Sequence, residues 1–439
     1  LTKLRGIMVD EKTLPKIVKL IDHFPDIEYV IISHQIEPPQ PHLSSSLTEK
    51  TVYTFDYLES FKTNEELDIE EHIDEEDLAA IIFTSGTTGS PKGVMISHKN
   101  IIAFVKSSYL LYGYNGKHTF AGFLPSSHIF EFAVEILMIS TGSCIGYCTP
   151  FTLFDNSPLI IEGTKGDLST LKPTLMIMVP LLVEKLKAGI LQALSLQNRM
   201  KQLIFQSFYN LKLFYRKCGY STPLIDRFFI RCFKSLIGDN LKFCMIGGAC
   251  ISRDTEEFAN ICFGRFKQVY GTTEILAALL ARFDYMPSGN VGSPVNNCEI
   301  KLIPCDEGYE DSNDQVHQKF EIAVSSDTVS SGYYNDDKQT NEKFVKDPVT
   351  QKRWFRSGDV AIIKKDGTFI IVDRKSEIVK LQNSTFFSLS NIENKILKCP
   401  MVEKACVFPV NNFEYFVALV VPDAEKVKQF LIHTQITKE

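Results

Sequence analysis

The chain has 439 residues, 44% of them hydrophobic and 23% charged, with a formal net charge of −6. That length predicts a large core and more than one domain, and the composition excludes a disordered or fibrous protein. The acidic balance gives no electrostatic reason to bind nucleic acid. The 11 cysteines are scattered without a C-x-x-C pair, which reads as a reduced, intracellular protein with free thiols. No stretch is apolar for long enough to span a bilayer; Phe132–Cys148 comes closest, interrupted by Glu135 and Gly142. The first residue is Leu1 rather than Met, and the tail at Ile436–Glu439 offers no closing element, so both ends of a longer protein are expected to be missing.

In chain order, Ile17–Phe24 is predicted as a helix and Tyr29–Ile32 as a short strand, before the Pro-rich break at Glu37–His42. The acidic run Glu65–Asp77 reads as a solvated connector rather than a metal site. Leu78–Phe83 is predicted as a buried strand that runs into a Gly/Thr/Ser loop, with a helix at Ile101–Leu111 after it. The alternation goes on through strand Phe120–Leu124, helix Phe130–Ile139 and strand Cys144–Tyr147. Strands Leu175–Val179 and Lys242–Ile246, helix Asp254–Cys262 and strand Lys267–Tyr270 complete it. Such alternation predicts an α/β fold, a large layered domain whose mostly parallel sheet is flanked by helices. Leu186–Lys217 is one long helical stretch assigned to packing.

After about Asn290 short strands with turns take over, at Glu299–Ile303, Phe320–Val324, Val360–Ile363 and Thr368–Val372. A compact α+β unit follows, with a helix near Asn391–Lys398, strands near Ala405–Phe408 and Phe416–Val420, and a helix from Asp423. The expected division is a large domain over 1–373, β-rich from about 290, and a partial C-terminal domain over 374–439.

The strongest chemical signal is Thr84-Ser85-Gly86-Thr87-Thr88-Gly89-Ser90-Pro91-Lys92-Gly93, read as lying between a strand and a helix. Its glycines let backbone approach a ligand, and successive N–H groups can point at phosphate oxygens. The hydroxyls of Thr84, Ser85, Thr87 and Thr88 add donors, and Lys92 adds a mobile charge. Hydrogen bonds to charged groups contribute roughly 1.5–3 kcal/mol each, the density a triphosphate needs. The spacing is not that of a Walker A loop.

Residues Ile82–Gly93 resemble the signature loop of the acyl-adenylate-forming superfamily, and Tyr270-Gly271-Thr272-Thr273-Glu274 resembles its second motif. The resemblance implies that Tyr270 stacks on adenine, Thr273 meets the α-phosphate and Glu274 holds Mg²⁺. It implies further that Gly247-Gly248-Ala249 lies along the adenine, and that Asp359 and Arg374 reach the ribose. Phe123–Glu131 is similar to a segment of long-chain acyl-CoA synthetases, which puts His128 near the acyl site and makes Glu131 a second candidate metal-side carboxylate. Gly163–Leu168 with Leu171–Thr174, Asp254–Phe258 with Asn260–Phe263, and Lys375–Leu389 look like the same family, particularly an animal branch that prefers arachidonate-like acids.

The implied activity is formation of acyl-AMP from a long-chain fatty acid and ATP, with Mg²⁺, and then of acyl-CoA from coenzyme A. Catalytic residues would be Thr84, Lys92, His128, Thr273 and Glu274; Ser85–Gly89, Gly247–Ala249, Tyr270–Thr272, Asp359 and Arg374 would bind nucleotide. Membrane association through an absent N-terminal segment is implied as well, at the cytoplasmic face of the endoplasmic reticulum or another organelle. Three departures stand out. No C-terminal catalytic lysine motif is reached, Ser384 and Thr385 replace the Gly and Glu of the linker, and Phe132 stands where an Arg is usual. A ligase for another carboxylic acid, and a degenerate nucleotide-binding paralogue, are the competing readings.

Overall fold

The computed structural model describes residues 4–10, 12–33, 47, 50–60, 72–84, 90–112, 118–282, 287–305, 318–380, 386–397, 399, 401–409 and 415–433. The chain divides into two compact units, Leu1–Ile73 and Asp74–Glu439. In the first, strands β1 (Gly6–Val9), β2 (Tyr29–Ile32) and β3 (Thr51–Thr54) form a parallel sheet in that order. Helix α1 (Leu14–Leu20) opens with Pro15 in its first turn and buries Leu14 in a small core with Val9, Ile21 and Val30. The predicted helix Ile17–Phe24 therefore begins earlier and tightens into a 3₁₀ turn over Ile21–His23. Helix α2 (Phe55–Ser60) follows β3.

The second unit opens with a correction. Strand β4 (Leu78–Thr84) is followed by β5 (Lys92–Ser97), paired antiparallel with Thr84 opposite Lys92, before helix α3 (His98–Tyr112). The signature segment is thus the turn of a hairpin, not a direct strand-to-helix loop. Sequence reading missed β5 because its apolar residues, Val94, Met95 and Ile96, run directly into the helix.

Strand β6 (Thr119–Gly122), α4 (Ile129–Ser140), β7 (Cys144–Tyr147), α5 (Asp167–Leu171) and β8 (Leu175–Met178) come next. Helices α6 (Pro180–Ser195), α7 (Arg199–Lys217) and α8 (Pro223–Lys234) precede β9 (Phe243–Ile246), α9 (Arg253–Cys262) and β10 (Phe266–Tyr270). The predicted single helical stretch Leu186–Lys217 is two helices. The chain breaks at Leu196–Asn198, where the Asn198 side chain accepts from the Lys201 amide and starts α7.

Strands β6 to β10 form a parallel core in the order β7-β6-β8-β9-β10, extended antiparallel by β11 (Leu279–Leu280) and β12 (Ser293–Pro294). All four residues of β8 and all four of β9 are buried, as strands covered on both faces require. Alternation splits the core: Phe120, Leu175, Ile177 and Met245 pack with α4, while Ala121, Met176, Met178 and Cys244 pack toward α6–α9.

The β-rich part holds β13 (Cys298–Pro304), β14 (Lys319–Ser326), β15 (Gly332–Tyr333), α10 (Asp337–Lys343), β16 (Phe344–Lys346), β17 (Arg353–Ile363) and β18 (Phe369–Arg374). Strands β13, β14, β17, β16 and β18 make an antiparallel sheet; β15 leaves it to pair with β5, joining the signature hairpin as a third strand. Beyond it stand the pair β19 (Ile378–Lys380) and β20 (Phe386–Ser388), helix α11 (Leu389–Ile396), the hairpin β21 (Val402–Pro409) and β22 (Phe416–Pro422), and α12 (Ala424–His433). The architecture is α/β with mixed sheets and a β-rich C-terminal part.

Candidate active site

A cavity of about 810 Å³ lies on the α4 side of the sheet. Thr84 and Lys92, at the base of the signature hairpin, form part of its wall with Gly271, Thr272, Thr273 and Glu274. Gly247, Gly248 and Arg374 line it too, as does His128. The two motifs that carry the nucleotide reading therefore meet at one cleft. Ser85, Gly86, Thr87, Thr88 and Gly89 lie outside the described residues, as do Ser384 and Thr385.

The Tyr270–Glu274 segment runs off the end of β10, and its geometry is set by backbone crowding. A Cβ on Gly271 would stand 2.0 Å from the Leu276 carbonyl oxygen, so no other residue fits there. Thr272 leaves its buried hydroxyl without a partner, a donor available to whatever fills the cleft. Glu274 is held from the side: the Tyr333 hydroxyl donates to its Oε1 at 2.7 Å. The Tyr333 ring also lies 5.5 Å from the Lys92 Nζ, within cation–π range. One tyrosine thus braces the acidic residue and the basic residue of the two motifs. Burial, then the Glu274 charge, push its phenol far above the usual tyrosine range, so it is a donor at every accessible pH.

Gly248 adopts φ +83°, in the region that favours glycine. At Gly247 a Cβ would meet Val269 at 2.9 Å and the Phe130 ring at 3.0 Å. Ala249 is exposed and does not line the cavity. Tyr270 and Asp359 are buried just behind the wall, bonded to each other: the Tyr270 hydroxyl donates to Asp359 Oδ2 at 2.7 Å, while Arg374 Nε approaches Oδ1 at 3.4 Å. Strand register makes this meeting, since Asp359 of β17 stands opposite Arg374 of β18. Burial raises the Asp359 pKa, opposed by the Tyr270 bond and by Arg374.

His128 caps α4, its Nδ1 accepting from the Phe130 amide at 3.2 Å, so the proton of the neutral ring sits on Nε2. Partial burial holds this imidazole below its ordinary range. Glu131, one turn on, is not brought to the cavity. It is fully buried, and the donors near its carboxylate oxygens, the Phe123 and Leu124 amides, stand outside full hydrogen-bond geometry. Desolvation, with the Glu135 charge second, pushes its pKa to about 8; the amides of Phe123 and Leu124 offset only part of this. Glu274 and Glu131 therefore do not face one cation. Among the described residues no group of three or more His, Cys, Asp or Glu side chains converges on a metal position.

Sequence reading missed Tyr333, whose strand has two residues and no motif around it. It also missed the cationic rim, where Arg356 pairs with Glu321 at 2.7 Å and Lys375 approaches the same carboxylate at 3.7 Å. The cavity wall also carries apolar side chains, among them Phe104 of α3 and Ala133, Val134 and Leu137 of α4.

A lysine at the base of the β4–β5 pair and a Tyr-Gly-Thr-Thr-Glu segment thus share one cleft of an α/β protein, and the comparisons give its family. The chain belongs to the AMP-binding enzyme family, whose model matches residues 7–334. It is 35% identical over 356 residues to "Long chain acyl-CoA synthetase 8" of Arabidopsis thaliana, covering 79% of this chain and 49% of that protein. It is 30% identical to "Long-chain-fatty-acid--CoA ligase 2" of Schizosaccharomyces pombe, covering 98% of this chain and 62% of that one. The chain thus spans about half to three-fifths of the length of these relatives. The adenylation domain of a carboxylic acid reductase from Segniliparus rugosus, in complex with AMP and a co-purified carboxylic acid, shares the fold with TM-score 0.70 at 20% identity, covering 98% of this chain and 64% of that one. The O-succinylbenzoate coenzyme A synthetase of Bacillus subtilis, in complex with ATP and magnesium ion, aligns with TM-score 0.64 at 18% identity, covering 94% of this chain and 72% of that one.

Proposed function

We propose that this chain is part of an ATP-dependent long-chain fatty acid–CoA ligase, working through acyl-AMP. The observation that carries the reading is that one cavity is lined both by Thr84, Lys92, Thr272, Thr273 and Glu274 and by apolar side chains of α3 and α4. The unpartnered Thr272 hydroxyl and the Glu274 carboxylate fit a phosphate chain with a divalent cation, and Mg²⁺ bound there would neutralise phosphate charge. Glu321 and Glu342 line the same cavity, but Glu321 is paired with Arg356, so Glu274 of the second motif is the carboxylate that would hold the cation.

A fatty carboxylate oxygen attacks the α-phosphorus as the bond to pyrophosphate breaks; the coenzyme A thiol then attacks the acyl carbon, loses its proton and releases AMP. The protein's part is to orient and to stabilise charge. Lys92 and Thr273 face the phosphates, Gly247 and Gly248 leave room for a flat base, and Asp359 with Arg374 mark the ribose end. The acyl chain lies along the α3–α4 wall, where each buried methylene contributes roughly 0.8 kcal/mol. The division near residue 373 into a large domain and a mobile C-terminal one belongs to the same proposal. So does attachment, by an upstream segment, to the cytoplasmic face of an organelle membrane.

The test is pyrophosphate release with ATP, Mg²⁺ and oleate, with and without coenzyme A, alongside oleoyl-CoA measurement. Oleate-dependent pyrophosphate that falls about 10²–10³-fold in Glu274→Gln supports the reading. Failure to bind ATP at all overturns it. Pyrophosphate without thioester leaves the first half-reaction and removes the second.

A further inference from the structure

Helix α7 is apolar on both sides. Inward, Phe205 and Tyr209 pack into the core beneath the sheet. Outward, Met200, Leu203, Ile204, Leu211 and Phe214 recur at three- and four-residue spacing with exposures of 71%, 68%, 51%, 41% and 62%. Leu196 and Tyr220 extend the stripe at its two ends, 81% and 65% exposed. Scattered apolar residues on a surface need no explanation, but a continuous stripe over a 19-residue helix does.

The surroundings of the stripe are basic. Between Pro180 and Asp239 ten lysines and arginines stand against three carboxylates, in a chain whose net charge is −6. Arg199, Lys201 and Lys217 flank the apolar face of α7 and are exposed. Arg227, Arg231 and Lys234 of α8 line a shallow cleft with Asp226, which is paired with Lys212, and Asp239. With its arginines and lysines, α7 is no membrane span, and among the described residues no helix is long and apolar enough to be one. An amphipathic helix with an apolar face and basic flanks matches a different geometry, lying in the plane of a bilayer surface.

We propose that the outer face of α7, with the basic flank of α8, docks on an anionic phospholipid surface, the apolar stripe entering the acyl boundary and the arginines and lysines meeting headgroup phosphates. The choice of occupant rests on charge complementarity: a partner with phosphate density balances the exposed excess of this region, Lys185, Arg199, Lys201, Lys217, Arg227 and Arg231 against Glu184 and Asp239, whereas a second copy of this face would repel it. This surface is on the opposite face of the sheet from the cavity and does not depend on the reading of that site.

Vesicle flotation of the whole chain tests it, using phosphatidylcholine alone and phosphatidylcholine with roughly a third phosphatidylserine. The expected result is flotation with the anionic vesicles that weakens with salt. The triple variant Leu203→Ser, Leu211→Ser, Phe214→Ser should lose at least about tenfold in partitioning. Arg199→Gln, Lys201→Gln, Lys217→Gln should lose several-fold on anionic vesicles alone, at up to about fivefold per charge. Should the serine variant fail to fold, Phe214→Trp is the second probe: its emission should shift to the blue with anionic vesicles. Absence of flotation, or equal flotation of the serine and native chains, overturns the proposal. So does a dimer that the serine variant splits without change in vesicle binding, which would make the stripe an interface between copies.

Discussion

Helices α4 and α7 each bury one ionisable side chain, and they handle it in opposite ways. Lys212 of α7 is 2% exposed, yet its ammonium donates to the Ile261 carbonyl at 2.7 Å and pairs with Asp226 at 2.8 Å. Glu131 of α4 is fully buried, has no countercharge and draws only on the nearby Phe123 and Leu124 amides, neither in full hydrogen-bond geometry. The first is a charge with its partners supplied; the second is a carboxyl whose charged form the fold disfavours. Both sit on the inner face of an amphipathic helix, so helical spacing does not separate them. What separates them is what the next element brings: α8 and α9 bring Asp226 and Ile261 to Lys212, while β6 brings only Gly122, where a Cβ would lie 3.1 Å from Glu131 Oε1.

The largest effect that sharpens this contrast is the pH dependence of Glu131. Its folded pKa, about 8, is raised above the ordinary 4.5. The folded state then holds the proton longer than the unfolded state, so stability is full below about pH 4.5 and declines as pH rises to about 8. The decline is on the order of 4 kcal/mol. Glu131→Gln, which cannot ionise, should flatten that slope; urea midpoints at pH 5 and pH 8 measure it. A native-like slope in the variant would mean that the carboxyl finds a partner in solution.

Next in size is Lys212. Replacing it by Ala strips the Ile261 carbonyl of its donor and leaves Asp226 alone, with an expected loss of about 2–3 kcal/mol. The carboxylate is partly solvated, which keeps the loss below that of a fully buried pair. Lys212→Met keeps an aliphatic stem in the core while removing the ammonium that lies 5.5 Å from the Phe229 ring, and should lose about half as much. If Met is as damaging as Ala, the ion pair rather than the packing sets the stability.

Third is Tyr333, which orders Glu274 at the cavity. Tyr333→Phe removes one hydrogen bond to a carboxylate, a loss of about 1.5 kcal/mol. Under the proposed activity the Mg²⁺ concentration for half-maximal pyrophosphate release should rise about tenfold. An unchanged Mg²⁺ dependence with lower overall rate would assign the tyrosine to Lys92 instead.

These contrasts mark what the sequence makes legible. The parallel core strands are near their predicted bounds because four-residue apolar runs such as Leu175–Met178 fit a doubly covered strand and little else. The two motifs were legible because glycine at Gly271 and the hydroxyls beside it answer a backbone and phosphate geometry that few other sequences meet. Strand β5 was not legible, since its apolar residues run straight into α3 and its second partner, the strand of Tyr333, lies more than two hundred positions away. Nor was the fate of Glu131: the resemblance of Phe123–Glu131 to a synthetase segment implied a metal-side carboxylate, and only the packing of α4 against β6 turns the carboxylate away from the cleft. Tyr333 has no local pattern at all.

The smallest effect tests the break that periodicity concealed. From Leu186 to Lys217 the apolar residues keep nearly one helical rhythm, yet α6 ends at Ser195 and α7 begins at Arg199. Asn198 is extended at φ −63° and ψ 155°, and its Oδ1 accepts from the Lys201 amide at 3.0 Å. Gln202 closes the corner by donating to the Ser195 and Gln197 carbonyls at 3.2 and 2.8 Å, satisfying groups the end of α6 leaves free. Asn198→Ala should remove the cap and lower stability by about 1 kcal/mol. Asn198→Asp should keep the cap and add a charge favourable to the N-terminal dipole, leaving stability unchanged or slightly higher. Thermal unfolding of the two variants side by side separates capping from helix propensity. If Ala were the more stable, α6 and α7 would be one helix in solution, and the exposed stripe on α7 would lose the corner that sets its direction.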